Sequence, residues 1–122
     1  MKSIYTLLFV CMLGTISFAQ DIKIAKAQSA TELLQAKNTG IYTFVFPSDI
    51  TIDAINQSAN YYTSFFTVQL NESTRTAKVT MVESTAENRR VILRFLASTR
   101  IQKIQIGENA LFLHEFYDQH LD

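Results

Sequence analysis

The sequence predicts an α+β domain in which an antiparallel four-stranded sheet carries two helices on one of its faces. Three observations in the 122-residue chain lead to this prediction. Strand and helix patterns follow one another in the order β-α-β-β-α-β over residues 41–106. Both helix patterns place apolar residues at steps of three and four, which gives each helix one apolar side. Residues that commonly cap helix N-termini precede each of them.

The N-terminal residues are typical of a cleaved export signal. Lys2 supplies a positive start, residues 4–16 are mostly apolar, and Ser17 and Ala19 place small residues where a signal peptidase requires them. The apolar stretch is shorter than the roughly 20 residues that a membrane-spanning helix needs. We therefore expect residues 1–19 to be removed on export, and we expect no stable membrane insertion of the remaining chain.

The composition of the remaining chain limits its classes of function. The only cysteine, Cys11, lies in the expected signal, so neither a disulfide nor a thiolate ligand remains after cleavage. Removing Lys2 with the signal leaves ten basic residues against eleven acidic ones, and this balance provides no strong field to attract nucleic acid. We expect an N-terminal segment with a short helix in residues 20–40, one domain with a helical tail in residues 41–122, and no cofactor.

A short helix is predicted in residues 29–40. Ser29 and Glu32 have the spacing of a capping box, in which each side chain binds the other's backbone N–H. Gly40 provides a left-handed residue at the helix end.

A central strand is predicted in residues 41–46, because both of its faces are mostly apolar. Pro47 ends this strand, since it cannot donate a hydrogen bond to a neighbour. Thr51 can cap the next helix. The apolar stripe of that helix runs from Ile52 to Phe66.

A hairpin and a second long helix follow. Residues 67–70 and 77–82 have the composition of two strands joined by a polar link. Ser84 and Glu87 form another capping box at the start of the helix. Its apolar side is expected to face the core, with three arginines directed outward: Arg89, Arg90 and Arg94.

The last predicted strand occupies residues 101–106, and the tail from Ala110 is predicted to be a helix. Two helices on one face would leave the other face of the sheet exposed. The short N-terminal helix and the aromatic tail are the segments expected to cover it.

This order of elements is that of a ferredoxin-like split βαβ unit, βαββαβ. The patterns and lengths of residues 43–66, 67–82 and 84–106 resemble those of heavy-metal-associated domains. Such domains carry a Met-x-Cys-x-x-Cys metal loop after the first strand, whereas the matching residues 46–51 here are Phe-Pro-Ser-Asp-Ile-Thr. Because soft thiolates bind copper(I) in such loops, the resemblance implies a shared scaffold that has lost the thiolate metal site.

The tail contains residues that offer an alternative metal site. His114 and Asp118 are four residues apart and can lie on one side of a helix, and His120 could add a third ligand. His114 and His120 would lie roughly 120° apart around that helix, which argues against a shared metal. A solvated helix end is the favoured interpretation.

Aromatic residues outside the predicted core stripe are candidates for a protein-binding surface, where tyrosine and phenylalanine are enriched. Two lie near the end of the first long helix and three in the tail, and these five form the candidate binding set: Tyr61, Phe65, Phe112, Phe116 and Tyr117. Their alternative role is to cover a sheet edge or a helix junction.

Two further groups of residues carry little functional signal. Arg75 and Lys78 could join the helix arginines in a basic patch, but nearby glutamates favour a mixed, solvated surface. Ser48, Asp49 and Asp53 lie at the first strand-to-helix corner without a local nucleophile motif. We therefore predict no catalytic residue.

The sequence favours a small exported binding module without catalysis, acting in a bacterial periplasm or outside the cell. Its expected partner is another envelope protein and not nucleic acid. Binding could use strand addition at a sheet edge or an aromatic patch. The alternative is a divergent periplasmic metal-binding domain that uses the tail histidines and carboxylates.

Overall fold

The computed structural model describes residues 22–122, and the expected signal, residues 1–19, lies outside this part. The strands are β1 (Ile24–Ala27), β2 (Ile41–Val45), β3 (Phe66–Asn71), β4 (Thr76–Met81), β5 (Lys103–Ile106) and β6 (Asn109–Phe112). The helices are α1 (Ala30–Thr39), α2 (Ile52–Asn60), α3 (Ala86–Ser98) and α4 (Leu113–Phe116), and a π-helical segment (Tyr117–Leu121) directly follows α4.

The strands form one six-stranded sheet in the order β3-β4-β2-β1-β5-β6. β1 and β5 run parallel, and the other neighbouring strands run antiparallel. The prediction of a four-stranded antiparallel ferredoxin-like sheet is therefore wrong. β1 inserts between β2 and β5, and β6 adds to the other side of β5. Both extra strands have only four residues, too few for an alternating pattern to stand out in the sequence.

A glutamine side chain extends the short pairing between β1 and β2. Their backbone register has two partner pairs, Lys26 with Val45 and Ala27 with Phe44. Beyond them, the Gln28 amide donates to the Ile41 carbonyl at 3.2 Å and accepts from the Thr43 N–H at 3.1 Å. The side chain thus binds one backbone donor and one acceptor of β2, as a longer strand would.

The first helix has the ends that the sequence predicts. The Ser29 side chain accepts a hydrogen bond from the Glu32 N–H, and Gly40 ends the helix with a φ of 74°. Glycine adopts this backbone region without strain. A Cβ at this position would also lie 3.3 Å from the Met81 Cβ. Gly40 therefore allows the chain to turn directly from α1 into β2.

The two later helices differ in detail from the prediction. α2 ends before residues 61–65, where the chain turns and the Tyr62 carbonyl accepts a hydrogen bond from the Phe66 N–H. The cap of α3 is Thr85, whose side chain accepts a hydrogen bond from the first turn. The predicted cap, Ser84, instead donates its hydroxyl to the carbonyl of a residue in α1.

The helices and the tail pack against the same face of the sheet. Their buried apolar side chains form one cluster with the inward side chains of the strands. The centroid of the Phe95 ring of α3 lies 5.8 Å from that of the Phe66 ring and 6.0 Å from that of the Phe46 ring. Burying one phenylalanine contributes about 1.5–3 kcal/mol, so these contacts are a main source of stability in a chain without a disulfide.

The tail is not the continuous helix expected from Ala110. It begins as β6, and α4 and the π-helical segment then turn back over the core. Phe116 and Leu121 have no exposed surface, and the Phe116 ring meets the Phe44 ring edge to face at 6.0 Å. The tail and α1 therefore add to the covered side of the sheet, and the expectation that they cover its second face is wrong.

A buried arginine links the tail to the helices through hydrogen bonds. Arg89 was expected to point outward, yet only 8% of it is exposed. Its Nε donates to the Leu121 carbonyl, and its Nη1 donates to the Ser84 carbonyl at 2.9 Å and to the Ser84 hydroxyl at 3.0 Å. Ser84 in turn donates to the Lys37 carbonyl at 2.7 Å. One guanidinium thus joins α3, α1 and the C-terminal residues.

Replacing Arg89 with alanine is expected to lower the free energy of unfolding by about 2–4 kcal/mol, since buried carbonyls lose a charged donor. Urea unfolding followed by circular dichroism measures the change. Arg94→Ala is the matched control, because Arg94 is exposed on the same helix. It should cost less than about 0.5 kcal/mol, and equal effects of the two variants would contradict the role given to Arg89.

Replacing Gln28 with alanine is expected to lower the free energy of unfolding by about 1–2 kcal/mol, because a half-buried donor and acceptor of β2 lose their partners. Hydrogen exchange should show faster exchange at the Thr43 amide in this variant. Gln35→Ala, on the exposed side of α1, is the control and should leave that amide unchanged. Unaltered protection of Thr43 in Gln28→Ala would count against side-chain pairing.

Candidate functional site

Three interactions hold the strand-to-helix corner, residues 46–51. Asp49 forms an ion pair with Lys23, and the Arg75 Nε donates to the Pro47 carbonyl at 3.2 Å. The Thr51 side chain accepts a hydrogen bond from the Ala54 N–H at 3.1 Å and so caps α2. The hydrogen bond from Lys23 lowers the pKa of Asp49, and this carboxylate is therefore ionised and paired at neutral pH.

A cleft of about 280 Å³ lies beside this corner, between the start of α2 and the end of α3. Asp49 and Thr51 line one side, and Ser98, Thr99 and Arg100 line the other. No histidine is among the residues lining it, so the residues described here give Asp49 and its neighbour Ser48 no base of the kind that activates a serine. The corner's geometry supports a structural role.

The tail residues considered for metal binding are not brought together. The His114 ring stacks on Phe112 with centroids 6.1 Å apart, while His120 lies 6.0 Å from the Phe116 ring. Asp118, which lies between the two histidines in the sequence, is exposed to solvent. Within residues 22–122, no group of three or more histidine, cysteine, aspartate or glutamate residues is arranged to hold a metal ion. Each histidine instead packs against an aromatic ring.

The five aromatic candidates do not form one surface. Phe116 and Tyr117 belong to the core, and the Tyr117 hydroxyl donates to the Ala86 carbonyl at 3.3 Å. Tyr61 is 81% exposed and Phe65 is half-buried, both just before β3. Phe112 is 48% exposed on β6. Because β3 and β6 are opposite edges of the sheet, the exposed candidates lie on separate parts of the molecule.

The second face of the sheet, which was expected to be covered, is exposed within residues 22–122, and we call it the open face. In each strand, alternate residues point away from the helices, and none of these outward residues is buried. The open face consists of Ile24, Lys26, Ile41, Thr43, Val45, Thr67, Gln69, Asn71, Thr76, Lys78, Thr80, Lys103, Gln105, Ala110 and Phe112.

The charged side chains of the open face are all lysines. The six strands contain Lys26, Lys78 and Lys103 and no aspartate or glutamate. The Lys103 Nζ lies 4.4 Å from the centroid of the Phe112 ring, a cation–π contact at one edge. Glu72 and Glu108 lie in turns at the ends of strands. Glu72 also lines the hollow beside Lys78, but the charges carried by the strands of this face are all positive.

The register places apolar and polar groups between these lysines. Lys26 has Val45 on one side and Gln105 on the other. Thr43 and Gln69 flank Lys78, where the surface forms a hollow of about 760 Å³. The sequence of β4 indicates this face, because buried apolar residues alternate there with threonine and lysine, as in a strand with one exposed side.

An apolar groove of about 810 Å³ lies near the β6 edge. Leu93 of α3 and Leu113 of α4 line it together with Ile101, Phe112 and His114. Phe112 thus belongs to both the groove and the open face, which places apolar surface next to the lysine-bearing sheet.

Comparison with protein-family models, curated proteins and solved structures found no match to this chain. The resemblance to heavy-metal-associated domains therefore stays a prediction. None of the helices within residues 22–122 is long and apolar enough to cross a membrane.

His120 gives the tail a defined pH dependence. Burial lowers the pKa of His120, and the positive charge of Lys37 lowers it further. In the unfolded chain a histidine has a pKa of about 6.5. As the pH falls, the unfolded state therefore binds a proton at His120 before the folded state does. Stability from this residue is therefore present above about pH 6.5 and is lost as the pH falls below it.

The variant His120→Gln should be less sensitive to acid than the wild type, because it removes the group whose protonation the fold opposes. The urea concentration at which half of the protein is unfolded, measured between about pH 7.5 and about pH 5.5, tests this expectation. The wild-type midpoint should fall over this range, and the midpoint of the variant should fall less. An identical pH slope for both proteins would contradict the packing role of His120.

Proposed function

We propose that this chain is an exported binding module without catalysis, and that its open face binds an acidic, extended segment of another envelope protein. The observation that carries the proposal is a face of the six-stranded sheet that no helix within residues 22–122 covers, and on which the charged residues of the strands are all lysines. A partner with carboxylates would complement this charge pattern.

The shape and composition of the face favour a polypeptide ligand. Val45 is 39% exposed in a strand away from both edges of the sheet, and partner side chains that cover it would remove apolar surface from water. Threonine, glutamine and asparagine side chains between the lysines can donate to carboxylates or accept from peptide N–H groups. The face thus combines apolar contact, hydrogen bonding and charge without a deep pocket.

The strand-to-helix corner supports the non-catalytic part of the proposal. Asp49 is ionised and paired with Lys23, and the chain after residue 19 has no cysteine to provide a thiolate. Recognition by an exposed surface requires no reactive side chain, which agrees with this chemistry.

The strength and salt dependence of such binding follow from the exposure of the lysines. Each exposed ion pair contributes about 0.2–1 kcal/mol, so three pairs support a modest affinity. Charge complementarity mainly raises the association rate and specificity. At an ionic strength of about 1 M the Debye length is only about 3 Å, and binding should be strongly weakened.

The double variant Lys26→Glu/Lys78→Glu is expected to weaken binding of a glutamate-rich probe peptide at least about tenfold, because two attractive contacts become repulsive. NMR titration of the isotope-labelled chain, residues 20–122, measures the affinity and locates the site. In the wild type, the amide signals that shift should belong to β1, β2 and β4.

The matched control is the charge reversal Arg94→Glu on the covered side of the sheet, where Arg94 is exposed. This variant should bind the probe peptide nearly as well as the wild type. The proposal would be overturned by shifts confined to the helices, or by equal losses in the Arg94 variant and in the lysine variants.

A further inference from the structure

The two edges of the sheet differ in how they are protected. β6 has four residues, and the side chain of Glu115 accepts a hydrogen bond from its Phe112 N–H at 2.9 Å. β3, at the other edge, has six residues, none of them charged and none a proline, and in the described part of the chain no helix lies beyond it. Edge strands usually carry such features because an uncovered edge pairs with other chains. β3 is thus the edge that is open to pairing.

The register shows which backbone groups of β3 are free to pair. The Val82 N–H donates to the Phe65 carbonyl at 2.9 Å. In an antiparallel pair, the residues of one strand alternate in whether their N–H and C=O groups point to that neighbour, so the backbone groups of Thr67, Gln69 and Asn71 point to β4. The N–H and C=O groups of Val68 and Leu70 therefore point toward the open edge. Phe66 also points outward, but its N–H donates to the Tyr62 carbonyl at 3.1 Å.

We propose that β3 pairs antiparallel with β3 of a second copy of this chain, around a two-fold axis at Gln69. This register places Val68 opposite Leu70 of the second copy, and Leu70 opposite its Val68. Each such pair exchanges two backbone hydrogen bonds in an antiparallel ladder. A register centred on Val68 would instead require the N–H of Phe66, which is already bonded within its own chain.

The side chains of β3 fit this self-pairing. On the open face, Gln69 meets Gln69 of the second copy, and Thr67 meets its Asn71. On the helix side, Val68 and Leu70 are only half-buried in one chain and would cover each other. No like charges oppose one another in the paired segment, since β3 has no charged residue. An identical strand is thus a complementary partner, as an isologous interface requires.

The two-fold axis runs perpendicular to the sheet, because two antiparallel edge strands in one continuous sheet are related in this way. The two open faces then lie on the same side of a joined sheet. The inference goes beyond the proposed acidic ligand and does not depend on it. A dimer would present two copies of the lysine pattern to one partner, which can raise avidity without new contacts.

Charged substitutions at Gln69 test the register directly. In the proposed dimer, Gln69 of one copy lies opposite Gln69 of the other, so one substitution places two charges side by side. Sedimentation equilibrium of residues 20–122, at about 10 μM to about 1 mM without any acidic peptide, should show a monomer–dimer equilibrium. Gln69→Lys and Gln69→Glu should each weaken the dimer at least about tenfold, since like charges then meet at the axis. A mixture of the two variants should recover the association as a heterodimer.

Gln105→Lys is the matched control, because Gln105 lies on the same face but on β5. It should dimerise like the wild type. Circular dichroism would establish that each variant is folded before its association is compared. A wild-type chain that stays monomeric at about 1 mM, unaltered association of the Gln69 variants, or no recovery in the mixture would each overturn the inference. These measurements contain no acidic ligand, so they are separate from the test of the proposed function.

Discussion

The six-stranded sheet depends on β1, the four-residue strand that joins its two parts. β1 pairs antiparallel with β2 and parallel with β5, so both of its sides are bonded to neighbouring strands. Ala25 is fully buried on its inward side, and Lys26 is exposed on its outward side. Gln28 extends the pairing where the backbone leaves the sheet. Without this strand, the sheet and its open face would separate into a three-stranded part and a hairpin.

The open face also depends on the tail remaining on the opposite side of the sheet. Arg89 holds the Leu121 carbonyl and Ser84, and Lys37 of α1 donates to the Asp122 carbonyl at 2.6 Å. Burying a guanidinium costs solvation free energy, which the carbonyl and hydroxyl acceptors offset. Burial also raises the pKa of the Tyr42 hydroxyl, against an opposing effect of the Arg89 charge. These contacts direct the aromatic tail into the core and away from the second face.

The surfaces left by this arrangement differ in chemistry. The corner after β2 is closed by paired groups such as Lys23 and Asp49. The open face carries three lysines among polar and apolar side chains, while the β3 edge is neutral and offers backbone groups at Val68 and Leu70. An acidic ligand on the open face and a second copy of the chain along β3 would therefore be neighbours, and Gln69, which pairs with Lys78, borders both.

The sequence by itself determined the local features: the ends of α1 at Ser29 and Gly40, the hairpin β3–β4, and a corner without thiols. These depend on residues close together in the chain. Even the burial of Arg89 had a sequence signal, since it is three residues from Ile92 on the apolar stripe of α3, although its charge suggested solvent. Only the tertiary structure decided that β1 lies between β2 and β5 and that the tail shares the helix side. Strand neighbours are chosen by contacts between residues far apart in sequence, and four-residue strands carry too little pattern to specify them locally.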